Sequence, residues 1–332
     1  MVIISDVIDI LERLRFIKDV ISRGEEKYRD SAYRTAIDKL SKLNENDEFR
    51  SDIVKVGKKM KAKFDEIAAS GKLKELDDLE SEYGAVVEMY EFLSKLYGFK
   101  PKSIKKLIDG ISDLYNGNIP KITTRDLLEL ASEKKIKLSK PQKVSLKWSK
   151  SIVRTSDKLV TRKDAESALK LISSVIENFG VKGMRIFIAG SYQRGLDKLG
   201  DVDIMLYSES DDSGLFETVC DAVVSMPSVR DVLVRKSRNI TILFEPVVSK
   251  EVQRLIQVDI KWFHSDEFIP AMIYMKGPRE CNIALRKEAR NRGFVLNQYG
   301  LYNNEQKKIK IESRKQLLEI LGIDNPEMCP KE

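Results

Sequence analysis

Four short apolar segments, all of them after residue 184, most constrain how this chain can fold. They cover residues 185–190, 201–207, 239–244 and 255–262, and their β-branched and aromatic content is typical of strands. Strand signals are scarce before residue 185, where apolar residues recur at helical spacing, as Val7, Leu11 and Leu14 do. The sequence therefore predicts an α+β protein with at least two structural units, a helical one followed by one that contains a sheet.

The basic charge of the chain is concentrated in its helical half. Lysine and arginine number 59 against 52 acidic residues, a net charge of +7. Lysines cluster within residues 55–63, 100–106 and 134–150. Such clustering predicts a polyanionic partner. No apolar run approaches the ~18 residues that a membrane-spanning helix needs, so we expect no membrane association.

Cysteine and histidine are too few for several classes of site. The three cysteines have no paired spacing, which argues against a cysteine zinc site and against a disulfide scaffold. His264 is the single histidine, so histidine-rich metal sites are excluded. The N-terminal residues lack a signal-peptide pattern. We expect an intracellular protein that is not secreted, with nucleus and cytoplasm both left open.

Three aspartates in the apolar segments are candidates for a metal site. Asp201 and Asp203 are two residues apart, so in a strand their side chains share a face. Asp259 lies within a third apolar run, where burying a lone acid is unfavourable without a partner. If the two strands are adjacent, three carboxylates converge, and oxygen ligands of this kind suit Mg²⁺.

A glycine and a serine follow the first apolar segment and precede a short helical pattern. Gly190 allows the backbone to approach a phosphate, Ser191 adds a hydroxyl donor and Arg194 a charged donor. An Asp-x-Asp pair at a solvated strand end and a Gly-Ser pair after a strand are each common without any function. The complete string 190–203, together with a third acid in a later strand, is far more specific.

That string resembles the signature of the family X DNA polymerases, which has Gly-Ser, then Arg-Gly, then Gly-Asp-x-Asp. The resemblance continues through residues 257–260, 274–277, Asn282, Arg286 and 296–301, and the last segment is also similar to small viral members. It implies a helical lyase-like domain at 1–81 and a helical DNA-binding (fingers) subdomain at 82–152. A nucleotidyltransferase palm with a mixed sheet follows at 153–265, and a small α/β thumb-like nucleotide-selection subdomain at 266–332.

The resemblance assigns roles to residues of the second half and to scattered DNA contacts. It makes Asp201, Asp203 and Asp259 the catalytic metal ligands, for two Mg²⁺ ions or Mn²⁺ as a substitute. It assigns the incoming nucleotide to Gly190, Ser191, Arg194, Gly200, Tyr274, Met275, Gly277, Arg279 and Asn282. It assigns DNA contacts to Tyr33, Lys59, Lys72, Gly98, Lys100, Lys261, Arg286 and Tyr299.

This chain departs from the family pattern at several of these positions. Met275 replaces an aromatic residue, Lys261 replaces an arginine, and Arg279 stands where an acid is usual. The segment 96–101 resembles a helix-hairpin-helix that binds the primer backbone, often with a monovalent cation such as Na⁺ or K⁺. Its second glycine is Lys100 here.

The segments 32–34, 56–67 and 70–73 resemble the lyase domain of the same family. The position of its Schiff-base lysine is Lys63, with Lys59 one helical turn earlier on the same face. Lys55 replaces the first hairpin glycine, and Ser51 and Glu75 stand at auxiliary lysine positions. The alternative interpretation is a lysine-rich helix that only binds the DNA backbone.

The resemblance implies a template-directed DNA polymerase that fills short gaps in base excision repair and also acts as a 5′-deoxyribose phosphate lyase. Its partners would be gapped or nicked DNA and deoxynucleoside triphosphates, and it would act as a monomer in the nucleus or cytoplasm, including a viral replication site. One alternative is a template-independent nucleotidyltransferase acting on 3′ ends. Another is a DNA-binding scaffold with an inactive palm or lyase domain.

Overall fold

The computed structural model describes residues 2–21, 27–44, 46–117, 119–152, 159–178, 184–209, 213–247 and 254–323. The chain divides into two compact units, one of residues 1–95 and 99–138 and the other of residues 96–98 and 139–332. Within the described ranges, no helix is both long and apolar enough to cross a membrane. The four domains expected from the sequence stay a prediction.

The first unit is helical. Its helices are α1 (Ile4–Ile21), α2 (Lys27–Leu40), α3 (Lys58–Ser70), α4 (Lys74–Ser94), α5 (Pro101–Leu114) and α6 (Thr124–Ser132). The predicted periodicity of α1 is confirmed, because Val7, Leu11 and Leu14 are fully buried in a core shared with α2, α3 and α4. Helix α3 ends at Gly71, whose left-handed φ of 71° lets its N–H bond to the Ile67 carbonyl.

The second unit contains a five-stranded mixed sheet. After α7 (Lys140–Lys147) come β1 (Val160–Thr161), α8 (Arg162–Glu177), β2 (Arg185–Ile188), α9 (Gly190–Gln193), β3 (Lys198–Leu199), β4 (Val202–Ser208), α10 (Ser213–Val224), β5 (Val229–Lys236), β6 (Asn239–Phe244) and β7 (Ile256–His264). The sheet order is β2-β4-β7-β6-β5, in which only the β4–β7 pair is parallel.

The two faces of this sheet are packed differently. Helices α8 and α10 cover one face, where Ile204 and Leu206 of β4 join the largest apolar core of the unit. Met205 alternates to the opposite face and packs with Phe263 and with α11 (Phe268–Lys276). Asp203 and Asp259 lie on this second face by the same alternation, so the sheet presents them on the side of α11 rather than in the main core.

The C-terminal segment forms its own small core. Helix α12 (Arg279–Asn291) is followed by an antiparallel sheet of β8 (Val295–Asn297), β9 (Gly300–Tyr302) and β10 (Lys308–Ile309), then by α13 (Arg314–Ile320). Leu285, Leu301 and Leu317 are fully or almost fully buried between these elements. The α+β class is confirmed, with mixed helices and strands after residue 265.

Two strands and one cysteine differ from what the sequence indicates. Strand β5 has no apolar pattern, because four of its eight residues are charged, as is tolerated on an edge strand. Strand β9 lies within residues 297–304 and pairs with both β8 and β10, an arrangement that the sequence alone did not indicate. Cys281 is disulfide-bonded, a pairing that cysteine spacing did not predict, while Cys220 is a buried free thiol.

Candidate active site

The parallel pairing of β4 with β7 brings two of the predicted catalytic carboxylates together. Asp203 and Asp259 are register partners, and partners on adjacent parallel strands point to the same face. Asp201 precedes β4 by one residue and therefore shares the face of Asp203. The adjacency that the sequence required for convergence of the three acids is thus present in the sheet.

The environment of Asp259 disfavours its ionised form. Burial raises the pKa of this carboxyl above its ordinary value, and the Asp203 carboxylate acts in the same direction. The Thr241 hydroxyl, the Lys261 ammonium and Gln257 oppose the shift without cancelling it. Two carboxylates held this close favour a cation between them.

Lys261 supplies positive charge to this cluster. Its Nζ donates to Asp203 Oδ1 at 3.2 Å and lies 3.5 Å from Met275 Sδ. Burial lowers the pKa of Lys261, but attraction to Asp203 and Asp259 outweighs burial, so the pKa lies above its ordinary value. The resemblance assigned Lys261 to the DNA contacts, whereas the structure places its ammonium beside Asp203, a predicted metal ligand, and Met275, a predicted nucleotide contact.

The backbone at Gly190 approaches Asp203 too closely for any other residue. Gly190 has a left-handed φ of 62°, and a Cβ there would lie 2.4 Å from Asp203 Oδ2. The Ala189 N–H donates to the Asp203 carbonyl at 2.8 Å, which fixes the two segments together. Gly190 is therefore required both for the turn and for the position of the carboxylate.

The end of α11 contacts both Arg194 and helix α12. Arg194 donates through Nη1 to the carbonyl of Lys276, the last residue of α11. Asn282 of α12 donates through Nδ2 to the Tyr274 carbonyl at 2.9 Å. The Arg286 guanidinium lies over the Tyr274 ring, 5.4 Å from its centroid. Residues predicted from separate motifs are thus joined by direct contacts.

These groups line one cavity of about 670 Å³. All nine residues that the resemblance assigned to the incoming nucleotide line it, together with Asp201 and Asp203. Its charged lining comprises four cations (Lys261, Arg194, Arg279, Arg286) and those two acids. An excess of positive charge suits a polyphosphate anion, and the adjacent carboxylates suit its counter-cation.

The carboxylates fit a hard divalent cation by donor type. No three Asp, Glu, His or Cys side chains within the described ranges are grouped closely enough to hold a metal ion. Asp203 and Asp259 are nevertheless register partners, and the raised pKa of Asp259 is a penalty that a bound cation would relieve. Asp201, Asp203 and Asp259 are the residues that would hold such an ion.

The predicted lyase residues lie in the helical unit. Lys63 projects from α3 and forms an ion pair with Glu75 of α4. Lys59 and Lys72 are exposed, whereas Tyr33 is buried in the helical core. Glu75 also pairs with Lys18 of α1, a residue that the sequence did not single out. Only the packing of three helices, which local sequence does not specify, brings these groups together.

The remaining predicted DNA contacts are dispersed. Gly98 has a left-handed φ of 85°, and its carbonyl accepts from Gln142 Nε2 at 3.2 Å. Lys100 is exposed and precedes α5 as its N-cap. Tyr299 does not line the cavity; it packs on Phe263, and Arg238 lies over its ring.

Two cavity residues were missed by sequence reasoning. Pro278 directly follows Gly277, and Ile283 lines the cavity although it is about half exposed. The available signal for Ile283 was an exposed isoleucine, one residue after Asn282, on an otherwise polar helix face.

Comparisons with known proteins find similarity over most of the chain. The family described as DNA polymerase beta thumb matches residues 271–327. DNA polymerase lambda of Rattus norvegicus is 24% identical over 304 residues, covering 88% of this chain and 48% of that protein. Both matches support the resemblance of this chain to the family X DNA polymerases. A second family X relative, DNA polymerase lambda of Arabidopsis thaliana, is 22% identical over 322 residues, covering 90% of this chain and 57% of its own length.

The chain spans about half the length of the curated relatives it matches. These matches support the resemblance to family X that the motif string 190–203 indicated. The activity, the substrates and the role of each site residue are taken up below as proposals.

Proposed function

We propose that this chain is a template-directed DNA polymerase that fills short gaps in base excision repair by two-metal nucleotidyl transfer. The observation that carries the proposal is the cavity in which all nine expected nucleotide-binding residues meet Asp201 and Asp203, with Asp259 in register beside them. The relatives are DNA polymerases by name, which supports the same reaction.

Each group of the cavity has a task in this reaction. The primer 3′-hydroxyl attacks the α-phosphorus, a P–O bond forms, and pyrophosphate leaves with the electrons of the bond that breaks. Arg194 and the Gly190–Ser191 backbone would hold the leaving phosphates. Asp259, in register beside Asp203, would take the hydroxyl proton.

The metal requirement follows from the same carboxylates. Asp201 and Asp203 would hold both Mg²⁺ ions, and Asp259 the one beside the primer. When bound, the two ions stabilise the charge on the attacking and leaving oxygens. Mn²⁺ would substitute, since it accepts the same oxygen ligands. Lys261, which now compensates the charge of Asp203, would then give up part of that contact.

Insertion opposite a defined base tests the polymerase proposal. The protein is given DNA with a single-nucleotide gap, one of four template bases and all four deoxynucleotides, with Mg²⁺. We expect the complementary nucleotide to dominate on each template. Equal incorporation without any template base would favour the template-independent nucleotidyltransferase. Binding of gapped DNA without any incorporation would favour the scaffold.

We propose a second activity for the helical unit, the removal of a 5′-deoxyribose phosphate. The neutral amine of Lys63 would add to the sugar aldehyde, water would leave, and an imine would form. Loss of the neighbouring C–H proton would then expel the 3′-phosphate of the sugar by β-elimination. The partly buried position of Lys63, with a side chain 19% exposed, supports this role over a purely solvated one.

Reductive trapping tests the lyase. Borohydride reduces the imine, so incised abasic DNA should become covalently linked to the protein, and Lys63→Ala should remove most of this adduct. Lys61→Ala is the matched control, because Lys61 lies on the same helix but pairs with Asp65 at 2.7 Å. Equal trapping by Lys63→Ala and the parent would assign the nucleophile to another lysine, with Lys59 and Lys72 as the nearest candidates.

The proposed partners follow from these activities. Gapped or nicked duplex DNA would meet the lysine clusters of the first half, and a monovalent cation would sit at the Gly98 hairpin. Gapped DNA and deoxynucleoside triphosphates place the protein inside the cell, in the nucleus or at a cytoplasmic replication site. We propose that it acts as a monomer, since both sites are built from one chain.

A further inference from the structure

Lys63 shares its carboxylate partner with a second lysine. Glu75 pairs through Oε2 with the Lys63 ammonium and through Oε1 with the Lys18 ammonium. Lys18 also donates to the Tyr33 hydroxyl at 3.3 Å and lies over the Tyr33 ring. Helices α1, α3 and α4 each contribute one member of this Lys18–Glu75–Lys63 cluster, and α2 contributes the tyrosine.

The cluster is largely shielded from water. The side chains of Lys63 and Lys18 are 19% and 18% exposed, and that of Glu75 is 37% exposed. Two ammonium groups around one carboxylate leave one positive charge in excess. In such a site, charges interact more strongly than they would in bulk water, so each ammonium group disfavours the charge of the other.

The identity of the lysine that loses its proton decides what the cluster can do. If Glu75 had Lys63 as its sole partner, a neutral Lys63 would leave a half-buried carboxylate without a counter-charge, which is unfavourable. With Lys18 present, loss of the Lys63 proton to water leaves the Lys18–Glu75 pair, which is neutral overall. The second ammonium therefore removes the penalty that Glu75 imposes on a nucleophilic amine.

We propose that Lys18 is the counter-ion of Glu75 that lets Lys63 act as a neutral amine, with Glu75 holding that amine in position. This inference rests on the proposed lyase function and names how its nucleophile is activated. Lys63 gives its proton to water, its lone pair adds to the aldehyde carbon, and the carbinolamine loses water to give the imine. The substrate class is an aldehyde that carries a neighbouring phosphate.

Other charged groups adjoin the cluster. The Tyr33 hydroxyl from α2 accepts a hydrogen bond from Lys18 at 3.3 Å. On α3, Lys59 is exposed, and Glu66 accepts a hydrogen bond from the Lys74 backbone N–H. Lys61 is occupied by Asp65 and Ser51, each at 2.7 Å.

The test is the pH dependence of borohydride trapping by the full chain on incised abasic DNA. Lys18→Met removes the charge while keeping the length, so the midpoint of the rising limb should move up by about one pH unit. Trapping at pH 7 should then fall about tenfold. Glu75→Gln should move the midpoint in the opposite direction. Lys18→Arg keeps the charge and should restore the parent midpoint.

The controls separate this inference from the lyase proposal. Asp65→Asn removes a carboxylate from another lysine of α3 and should leave the midpoint unchanged. A parent protein that traps no DNA at any pH would overturn the lyase proposal and this inference together. A parent that traps through Lys63, with the same midpoint in Lys18→Met, would overturn only the role of Lys18. If Lys18→Met does not fold, two expectations still test the inference: a lower midpoint in Glu75→Gln and the parental midpoint in Lys18→Arg.

Discussion

Replacing Gly190 with alanine would show how tightly the position of Asp203 controls the proposed reaction. Gly190 has a φ of 62°, and an added Cβ would lie 2.4 Å from Asp203 Oδ2. Ordinary contacts of a Cβ begin at about 3.4 Å, so the carboxylate would have to move by about 1 Å. A displacement of about 1 Å in a catalytic group lowers the rate on the order of 10²-fold.

The expected phenotype of Gly190→Ala has two parts. The left-handed backbone should destabilise the fold by about 1–2 kcal/mol, because alanine is disfavoured there. Single-turnover insertion into a one-nucleotide gap should slow about 10²-fold, while the affinity for gapped DNA stays unchanged. The rate is measured by rapid quench, and the affinity by fluorescence anisotropy.

Gly195 provides the matched control. Its φ of 82° imposes similar backbone strain, but nothing lies within 4 Å of an added Cβ. Gly195→Ala should therefore lose similar stability and retain the insertion rate. The reasoning is refuted if Gly190→Ala inserts nucleotides at the parental rate, or if Gly195→Ala is slowed as much.

Three further predictions concern charge. Arg194→Ala should raise the KM for the triphosphate about 10–100-fold, because a charged hydrogen bond to the leaving phosphates is lost. Steady-state kinetics on gapped DNA measures this KM. An unchanged KM would contradict the assignment of Arg194 to the triphosphate. The affinity for gapped DNA should fall steeply with salt, with a log–log slope of about −0.9 for each neutralised phosphate, and a flat dependence would exclude binding through the lysine clusters. Burial raises the pKa of Asp259, so metal-free protein should gain stability as the pH falls through that raised pKa and lose this contribution as the pH rises. Asp259→Asn should accordingly raise the Tm at pH 7 by about 2–4 °C for each 1 kcal/mol of unfavourable charge burial that it removes. Scanning calorimetry in the presence of a chelator measures this Tm. A lower Tm would contradict the expected direction of the change.

The elements with strong periodicity were predictable, and those shaped by their neighbours were not. Strand β6 has the bounds that its apolar run indicates, and α1 follows its helical spacing. Strand β5 escaped detection because an edge strand tolerates charge, and its partner β6 supplies the missing apolar context. Strand β9 is three residues long within a polar segment, so its pairing with β8 and β10, rather than its own sequence, defines it.

The site likewise has features that the sequence predicted and features that depend on long-range packing. The sequence placed Asp203 and Asp259 in separate strands and made their convergence depend on adjacency, which the parallel β4–β7 pairing provides. It could not show that Lys261 reaches Asp203, because that contact depends on register and on side-chain reach across two strands. The contact of Glu75 with Lys18 depends on the packing of α1 against α4, which is a long-range property of the fold.

The central claim, nucleotidyl transfer at the aspartates of the sheet, is tested most directly by the insertion rate of Asp259→Asn on gapped DNA. This change removes one charge from the cluster and leaves the size of the side chain almost unchanged, so DNA binding should stay within about twofold of the parent. Asp266→Asn is the control, since Asp266 is an exposed aspartate that pairs with Lys308. The account predicts that Asp259→Asn inserts nucleotides at least about 10²-fold more slowly than the parent, while Asp266→Asn does not. Insertion by Asp259→Asn at the parental rate would contradict the assignment of the active site.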